Sequence, residues 1–509
     1  LFVGVGELFD RFTFIFTKLQ VTLYALLLIP DITLFVSGLL YNILILYLHS
    51  ISPIMYIPSL SKALLLSTPL FSNAFAQSIT DPTQRAEFAL SALQIWYNAG
   101  NGLWDGAGWW NSANAMTMLA NLVKVDSNPQ LKDLATRIFA NTLKQAPVKN
   151  PQPGVESKPA PKRDLIDTDT AFVTGYDKGM GDDDEPITTF PSGWGVSTGE
   201  YFDVKIAAAA AADPKTKNKA TAAAPNANDW LDGFYDDDLW WALAWINAYD
   251  VTKNAQYLTL AEGIFKGVTK AWGTKCGNGG IWWSWKKTYA NAIANELFLS
   301  TAAHLANRVA ADQKGYYVDW AQKEIKWFQA SGMINARGTI NDGLGDNCKN
   351  NNRVSHLFFS IDEVRSMLTK NQTTWSYNQG VILSGLVELN RAAPDASYLP
   401  LASKIAKAAI IELSDKKGVI HDKCGPICGG DASQFKGIFA RGLQDLQAAA
   451  PDDAIKNCIK TNADSVWNNN RNDGNLLSIN WAGPFVASAN ATTHSSSMDV
   501  LVAAVAVSK

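Results

Sequence analysis

The chain has 509 residues, 47% of them hydrophobic and 18% charged, with 44 basic against 47 acidic side chains and a formal net charge of −3. No basic surplus exists to release counterions from DNA or RNA, so a nucleic-acid partner is excluded, and the apolar content is too high for a disordered chain. Five His and five Cys are scattered without a Cys-x-x-Cys or paired-His spacing, so no metal site is expected, while 18 Trp suit either a large core or the stacking of sugar rings.

Residues 21–48 are almost uniformly apolar, broken by Pro30 and Asp31, and are long enough to cross a membrane once. A more economical reading starts at Met55, the first Met. Lys62, an apolar run over 63–70 and the small-x-small site Ala74-Phe75-Ala76 then form a secretory signal. On this reading 1–54 is a gene-model extension or membrane segment, 55–76 is the signal, and 77–509 is one folded domain. Secretion agrees with the sequons at Asn371 and Asn490 and permits disulfides. Cys424 and Cys428 are close enough in sequence to pair, Cys276 with Cys348 is the next candidate pair, and Cys458 is left over. Spacing alone does not fix this connectivity.

From residue 80 onward the apolar periodicity is helical. Twelve segments are predicted, near 82–98, 109–124, 128–145, 236–250, 254–271, 289–308, 314–331, 375–391, 395–414, 433–449, 451–469 and 492–507. Asp81-Pro82, Asn254, Pro394-Asp395 and Pro451-Asp452 are start signals. The helices alternate between apolar all round, as in Leu-Trp-Trp-Ala-Leu-Ala-Trp from Leu239, and amphipathic. A helix apolar on every side is buried on every side. Six inner helices inside six outer ones satisfy this alternation, so the expected fold is an all-α (α/α)6 barrel. An open α-solenoid would need a sequence repeat, and none is seen. Two stretches, 147–228 and 352–370, break the pattern and read as inserts.

The sharpest motif is Phe234-Tyr235-Asp236-Asp237-Asp238-Leu239-Trp240-Trp241. One Asp would suffice to complement a helix dipole. Three acids beside Tyr235, Trp240 and Trp241 mean desolvation and mutual repulsion, which raise the pKa of one partner. That is the split of one ionised and one protonated carboxyl that a glycosidase uses. Asn291, Asn295 and Glu296 lie in a second apolar helix, where the amides suit either sugar hydroxyls or an internal network. Ahead of them Cys276-Gly-Asn-Gly-Gly280-Ile-Trp282-Trp283 is a flexible loop ending in two indoles.

Weaker candidates open other helices: Trp109-Trp110-Asn111, Trp375-Ser-Tyr377-Asn378-Gln379, and Gln434-Phe435-Lys436 through Arg441. In an (α/α)6 barrel the inner-helix starts lie at one end, so these groups would line one cleft. Trp96, Trp104, Trp109, Trp110, Trp230, Trp240, Trp241, Trp282, Trp283, Trp375 and Trp481 fall near loop–helix junctions. That placement predicts that the aromatic excess mainly lines a sugar cleft. His494 to Asp499 is too local for a Ser-His-Asp triad.

Five of these motifs, in this order, resemble glycoside hydrolase family 76, the fungal and bacterial endo-α-1,6-mannanases. They are Tyr235-Asp-Asp with its Trp-Trp-Ala-Leu-Ala-Trp, the Cys276 loop, Asn291-Ala-Ile-Ala-Asn295-Glu296, Tyr377-Asn-Gln-Gly and Phe435-Lys-Gly-Ile-Phe. The resemblance implies an (α/α)6 barrel and retaining hydrolysis of α-1,6-mannan without a cofactor. It implies Asp236 as nucleophile and Asp237 as acid/base, and no chemistry for Asp238, which falls where the family varies. Tyr235, Trp240, Trp282, Trp283, Asn291, Asn295, Trp375, Tyr377, Asn378, Gln379 and Lys436 are the expected substrate-binding residues. The expected enzyme acts as a single chain, secreted or in the cell wall, with membrane association if 21–48 is a span. The short tail after Asp499 lacks the spacer and apolar stretch of a GPI signal. A cell-wall transglycosylase acting on mannose-containing anchors and a non-catalytic mannan-binding protein are the alternatives.

Overall fold

The structure, a computed structural model, describes residues 79–152, 225–345, 347–349, 374–426, 428–487 and 489–509. The segments 21–48 and 55–76, the insert 352–370, residue Asn371 and residues 153–224 of the first insert lie outside the described residues.

Twelve α-helices stand among the described residues: α1 Pro82–Leu93, α2 Trp109–Val125, α3 Pro129–Gln145, α4 Tyr235–Thr252, α5 Ala255–Val268, α6 Ala292–Ala306, α7 Ala311–Ser331, α8 Ser376–Ala392, α9 Tyr398–Leu413, α10 Phe435–Ala449, α11 Asp453–Asn469 and α12 Ala491–Ser508. The even-numbered helices form a closed ring: α2 packs on α4, α4 on α6, α6 on α8, α8 on α10, α10 on α12, and α12 back on α2. The odd-numbered helices lie outside. For example, α5 touches α4 and α6, and α9 touches α8 and α10. This is the (α/α)6 barrel, and its closure excludes the solenoid.

The sequence explains which helix goes where. Outer α5 buries Tyr257, Leu260, Ala261, Ile264, Phe265 and Val268, a stripe at helical spacing. Burying one such large side chain contributes roughly 1.5–3 kcal/mol. Outer helices also begin at solvated Asx caps: Asp81, Asn128, Asn254 and Asp452 each accept a first-turn N–H. Inner α6, in contrast, buries every residue except His304. Two predicted boundaries move. The first helix stops at Leu93 and leads into a short hairpin, Tyr97–Asn98 against Leu103–Trp104. The helix expected from 289 starts at Ala292, because Ala290–Asn291 pairs antiparallel with Gly343–Leu344.

The turn before an inner helix is tied to that helix in a repeated way. The fourth helical residue accepts a backbone N–H from the preceding turn. Ser112 Oγ accepts from Trp104 (3.4 Å), Asp238 Oδ1 from Asp232 (2.8 Å), Asn295 Oδ1 from Ile281 (2.7 Å), Gln379 Oε1 from Ile340 (2.9 Å), and His494 Nδ1 from Leu477 (3.0 Å). At α10 that position is Ile438, and the turn N–H of Ile420 goes instead to Asn462 of the outer helix α11.

Most Trp side chains fill the two-layer wall. Trp109, Trp230, Trp241 and Trp245 form one buried cluster with centroid spacings of 4.7–5.8 Å, and Trp104, Trp467 and Trp481 are also fully buried. The expectation that junction Trp mainly line a cleft is therefore corrected. Where the two helix layers meet the turns, gaps are wide, and the indole is the side chain large enough to close them.

At the C-terminal ends of the inner helices the lumen holds a cavity of about 380 Å³, lined among others by Lys124, Asp250, His304, Arg308, Glu388 and Asp445. Most of these charges are paired: Arg308 with Asp250 (2.8 Å) and Glu388 (2.9 Å), and Lys124 with Asp250 (3.3 Å), while Asp445 accepts from the Ser384 hydroxyl. No helix among the described residues is long and apolar enough to cross a membrane.

Glycine lets neighbouring inner helices approach. A Cβ on Gly442 of α10 would stand 2.2 Å from the Gly380 carbonyl oxygen of α8. Gly442→Ala is therefore expected to destabilise the fold by about 1–3 kcal/mol through overpacking, despite the better helix propensity of Ala. The denaturation midpoint reads this, and an unchanged midpoint would contradict the contact.

Candidate active site

The first turn of α4 carries Asp236, Asp237 and Asp238. They do not share a role. Asp238 is fully buried and holds the Asp232 N–H. Asp236 and Asp237 keep partial access to solvent. The turn before them is rigid by construction. Asp232 Oδ1 accepts the Phe234 N–H (2.9 Å), the Tyr235 N–H donates to the Trp283 carbonyl (2.9 Å), and the Trp285 N–H donates to the Gly233 carbonyl (2.8 Å). The start of α4 is thus sewn to the Trp282-Trp283 segment. Across that seam the Trp283 indole N–H donates to Asp236 Oδ2 at 3.1 Å. Asp236 Oδ1 has no hydrogen-bond partner among the described residues.

Burial is the main cause that pushes Asp236 up, to about 7. The Trp283 bond opposes it, and the charges of Asp232 and Asp431 add to it. Asp237 is pushed well above the usual carboxylate range by burial and then by the charges of Asp232, Asp236, Asp431 and Asp238. The Trp283 donor favours the ionised form of Asp236.

Other inner-helix starts complete the cleft. Asp431, just before α10, accepts the Trp110 indole N–H from α2 at 2.9 Å. Trp110 lies against Trp240, with centroids 5.7 Å apart and planes 22° apart. Tyr377 of α8 stacks on Phe435 of α10 at 3.8 Å, and Trp375 meets Phe435 edge-on at 5.4 Å. Burial and the charges of Asp342, Asp236, Asp431 and Glu296 push the Tyr377 hydroxyl well up, so these groups surround it. Tyr289 donates to Asp342 Oδ2 at 2.6 Å, brought there by the pairing of residues 290–291 with 343–344. Asp236, Asp237, Trp283, Tyr289, Asp342, Tyr377 and Asp431 all keep partial solvent access in otherwise buried surroundings.

The remaining candidates divide. Tyr235 and Trp240 are buried beside the pair, and Trp282 is buried behind Trp283. Asn378 is fully buried, and neither side-chain polar atom has a partner among the described residues. Asn291 caps α6 through the Ala294 N–H. Three expected binding residues have other work. Asn295 brackets Ile281, accepting its N–H and donating to its carbonyl. Gln379 does the same to Ile340. Lys436 donates to the Ile479 carbonyl and lies over the Trp481 ring, and burial lowers its pKa to about 8. A buried amide or ammonium takes the nearest backbone partner, and these side chains hold turns in place.

Cys276 is bonded to Cys348 and Cys424 to Cys428, and Cys458 is free. The first bond joins the Gly-rich loop ahead of Trp283 to the segment following Asp342. The same loop lies on Trp327, whose N–H donates to the Cys276 carbonyl, and a Cβ on Gly280 would stand 2.4 Å from that ring. Asn490 caps α12 through a capping box with Thr493. Among the described residues no group of three or more His, Cys, Asp or Glu is arranged to hold a metal ion. Asp232, Tyr289, Asp342 and Asp431 were not singled out from sequence. Asp232, Tyr289 and Asp431 lie three or four residues before an inner helix, but nothing in the sequence marks Asp342.

A family model described as glycosyl hydrolase family 76 matches residues 198–508. The chain is 28% identical over 230 residues to mannan endo-1,6-alpha-mannosidase DCW1 of Candida albicans, covering 41% of this chain and 46% of that protein. It is 27% identical over 267 residues to DCW1 of Saccharomyces cerevisiae, covering 48% and 54%. The chain thus spans about half the length of the curated relatives it matches. The fold is similar to the GH76A alpha-1,6-mannanase of Salegentibacter sp. HEL1_6, with TM-score 0.59 and 16% identity, covering 84% of this chain and 100% of that one. An inactive variant of that mannanase, with two consecutive Asp replaced by Asn, is in complex with alpha-1,6-mannotriose.

Proposed function

The chain belongs to glycosyl hydrolase family 76, and from that membership we propose that it is a retaining mannan endo-1,6-α-mannosidase with Asp236 as nucleophile and Asp237 as acid/base. One observation supports the reading: the two adjacent carboxyls have different surroundings. Asp236 accepts the Trp283 indole N–H on Oδ2, and Asp237 is surrounded by acids that favour its protonated form.

The chemistry follows. Asp236 attacks the anomeric carbon as the glycosidic bond breaks, and Asp237 gives its proton to the leaving oxygen. The Trp283 N–H holds Oδ2, so the carboxylate is oriented before substrate arrives. Asp237, now ionised, takes a proton from water, whose oxygen displaces Asp236 from the sugar. Tyr377, Trp110 and Trp375 offer ring faces or edges to mannose rings, and Asp342 and Asp431 offer acceptors to hydroxyls. The inactive, mannotriose-bound variant of the related mannanase supports a consecutive Asp pair in this role. Two disulfides fit an oxidising compartment, so the proposed location is secreted or cell wall.

Asp237→Asn is expected to lower kcat on unbranched α-1,6-mannan by about 10²–10⁴-fold, the range for general acid–base catalysis, and Asp236→Asn by at least as much. Near wild-type turnover in both variants would end the assignment. Product analysis belongs to the same assay: free reducing ends support hydrolysis, and lengthened oligomers would replace it with transglycosylation.

Trp283→Phe removes the donor that favours ionised Asp236. The pKa of Asp236 should rise, so the acid limb of the kcat/KM profile should move to higher pH while the basic limb stays. An unmoved acid limb would separate Trp283 from the nucleophile.

A further inference from the structure

The barrel lumen has a second open space besides the cleft. Trp240 of α4 stacks on Trp110 of α2, whose indole N–H reaches Asp431 at the N-terminal rim. On its other side Trp240 closes, with Val381 and Ile438, the inner end of the cavity at the C-terminal ends of the inner helices. Asp236, Asp237, Trp283, Tyr377 and Asp431 take no part in that lining. The cavity follows α4 from Trp240 to Asp250, about 15 Å at the helical rise per residue. Its volume of about 380 Å³ falls in the range of small-molecule sites.

Space that needed only filling would have been closed. Higher in the same ring, glycine brings α8 and α10 into contact at Gly380 and Gly442. Below, α2, α4, α6, α8 and α10 all present side chains to an open space, and most of these are polar. The lining changes with depth. Trp240, Leu243, Val381 and Ile438 make the inner part apolar, while Lys124, Asp250, Arg308 and Arg391 stand at the mouth, near the ends of their helices.

The wall selects a class of ligand. Asp250, Glu388 and Asp445 balance Lys124, Arg308 and Arg391, and Arg441 is matched by Asp499 (2.8 Å). An anion entering here would meet the acids, and a cation would meet the bases, each at a cost of like-charge contact and desolvation. A neutral ligand escapes both. Donors and acceptors are mixed along the wall. Asn121 and Gln444 add amides that take no part in the charge pairs. His304 Nδ1 lies 2.8 Å from the Ser300 carbonyl, a partner that requires Nδ1–H, so the neutral ring keeps Nε2 as an acceptor. Half-exposed Arg391 spends one nitrogen on Glu388. Hydroxyls answer such a wall because each one both donates and accepts. A sugar ring adds C–H faces for the apolar inner end.

We propose that this C-terminal cavity is a second ligand site, which takes one neutral sugar unit apart from the cleft. The site uses neither Asp236 nor Asp237, so it does not depend on the hydrolase reading.

The test is titration of D-mannose into the full chain by calorimetry, with a crystal soak to locate the sugar and thermal unfolding as the control for folding. Gln444→Trp fills the cavity and spares the cleft, and Tyr377→Ala does the reverse. The wild type and Tyr377→Ala should hold mannose between the C-terminal halves of the inner helices, and Gln444→Trp should not. Mannose found in the cleft alone would overturn the proposal. So would density at soaking concentration without heat of binding in solution. Inorganic phosphate binding in the cavity more tightly than mannose would overturn the assignment to a neutral ligand. If Gln444→Trp does not fold, Gln444→Leu removes the amide alone. Affinity at the cavity should then fall about 2–10-fold, the range for one lost hydrogen bond, and an unchanged affinity would sink the proposal. A chain that binds mannose here but does not act on α-1,6-mannan would end the hydrolase reading and leave this site standing.

Discussion

A buried backbone N–H in a turn must find an acceptor, and in this barrel it finds one on the next inner helix. Leaving such a group unpaired would cost about 1–3 kcal/mol. Because the acceptor is the fourth helical residue, each turn is fixed relative to the first turn of the helix it feeds. The site is made of side chains from those two places. Trp283 meets Asp236, and Tyr289 meets Asp342, because the backbone on both sides has no freedom to slide. Preorganisation at the cleft is thus a consequence of hydrogen-bond bookkeeping at the barrel rim.

The two ends of the inner ring treat charge differently. At the C-terminal end acids and bases alternate in close pairs: Asp250 with Arg308, Arg308 with Glu388, and Glu388 with Arg391 (2.5 Å). Burial pushes Glu388 up, but the charges of His304 and Arg308 outweigh it and hold it at about 2. At the N-terminal end Asp236, Asp237, Asp342 and Asp431 all stand above the usual carboxylate range, with burial as the first cause. The helix N-termini ease part of that strain, since their partial positive charge favours anions by roughly 0.3–1 kcal/mol each. An end where acids are packed together and only partly neutralised can exchange protons with a substrate.

Much of this was legible in the sequence. Alternation between all-apolar and amphipathic helices gave the barrel, because burial on one or both sides writes directly onto residue type. The Asp triplet was visible because three acids at the head of an apolar helix have no purely structural excuse. The loop acid Asp342 was not visible, since only the pairing of residues 290–291 with 343–344 brings it to the rim. The turn-holding bonds of Asn295, Gln379 and Lys436 were hidden for a related reason. A polar residue on an inner helix looks like lumen chemistry, and one-dimensional pattern does not reveal that a turn backbone lies within reach. The Trp excess misled through size: a ring wide enough to stack on a sugar is also wide enough to plug a seam between helix layers.

The triplet itself shows how three identical residues acquire three jobs. Successive residues on a helix point about 100° apart, so Asp236, Asp237 and Asp238 face three directions from one turn. The first meets an indole donor, the second meets only other acids, and the third meets the backbone of the turn behind it. None of these environments is encoded in the aspartate, and each is supplied by an element from elsewhere in the chain. A dipole argument accounts for one acid at a helix start. Three are explained only when the start of α4 is read at once as a cap, a reaction centre and a fastening.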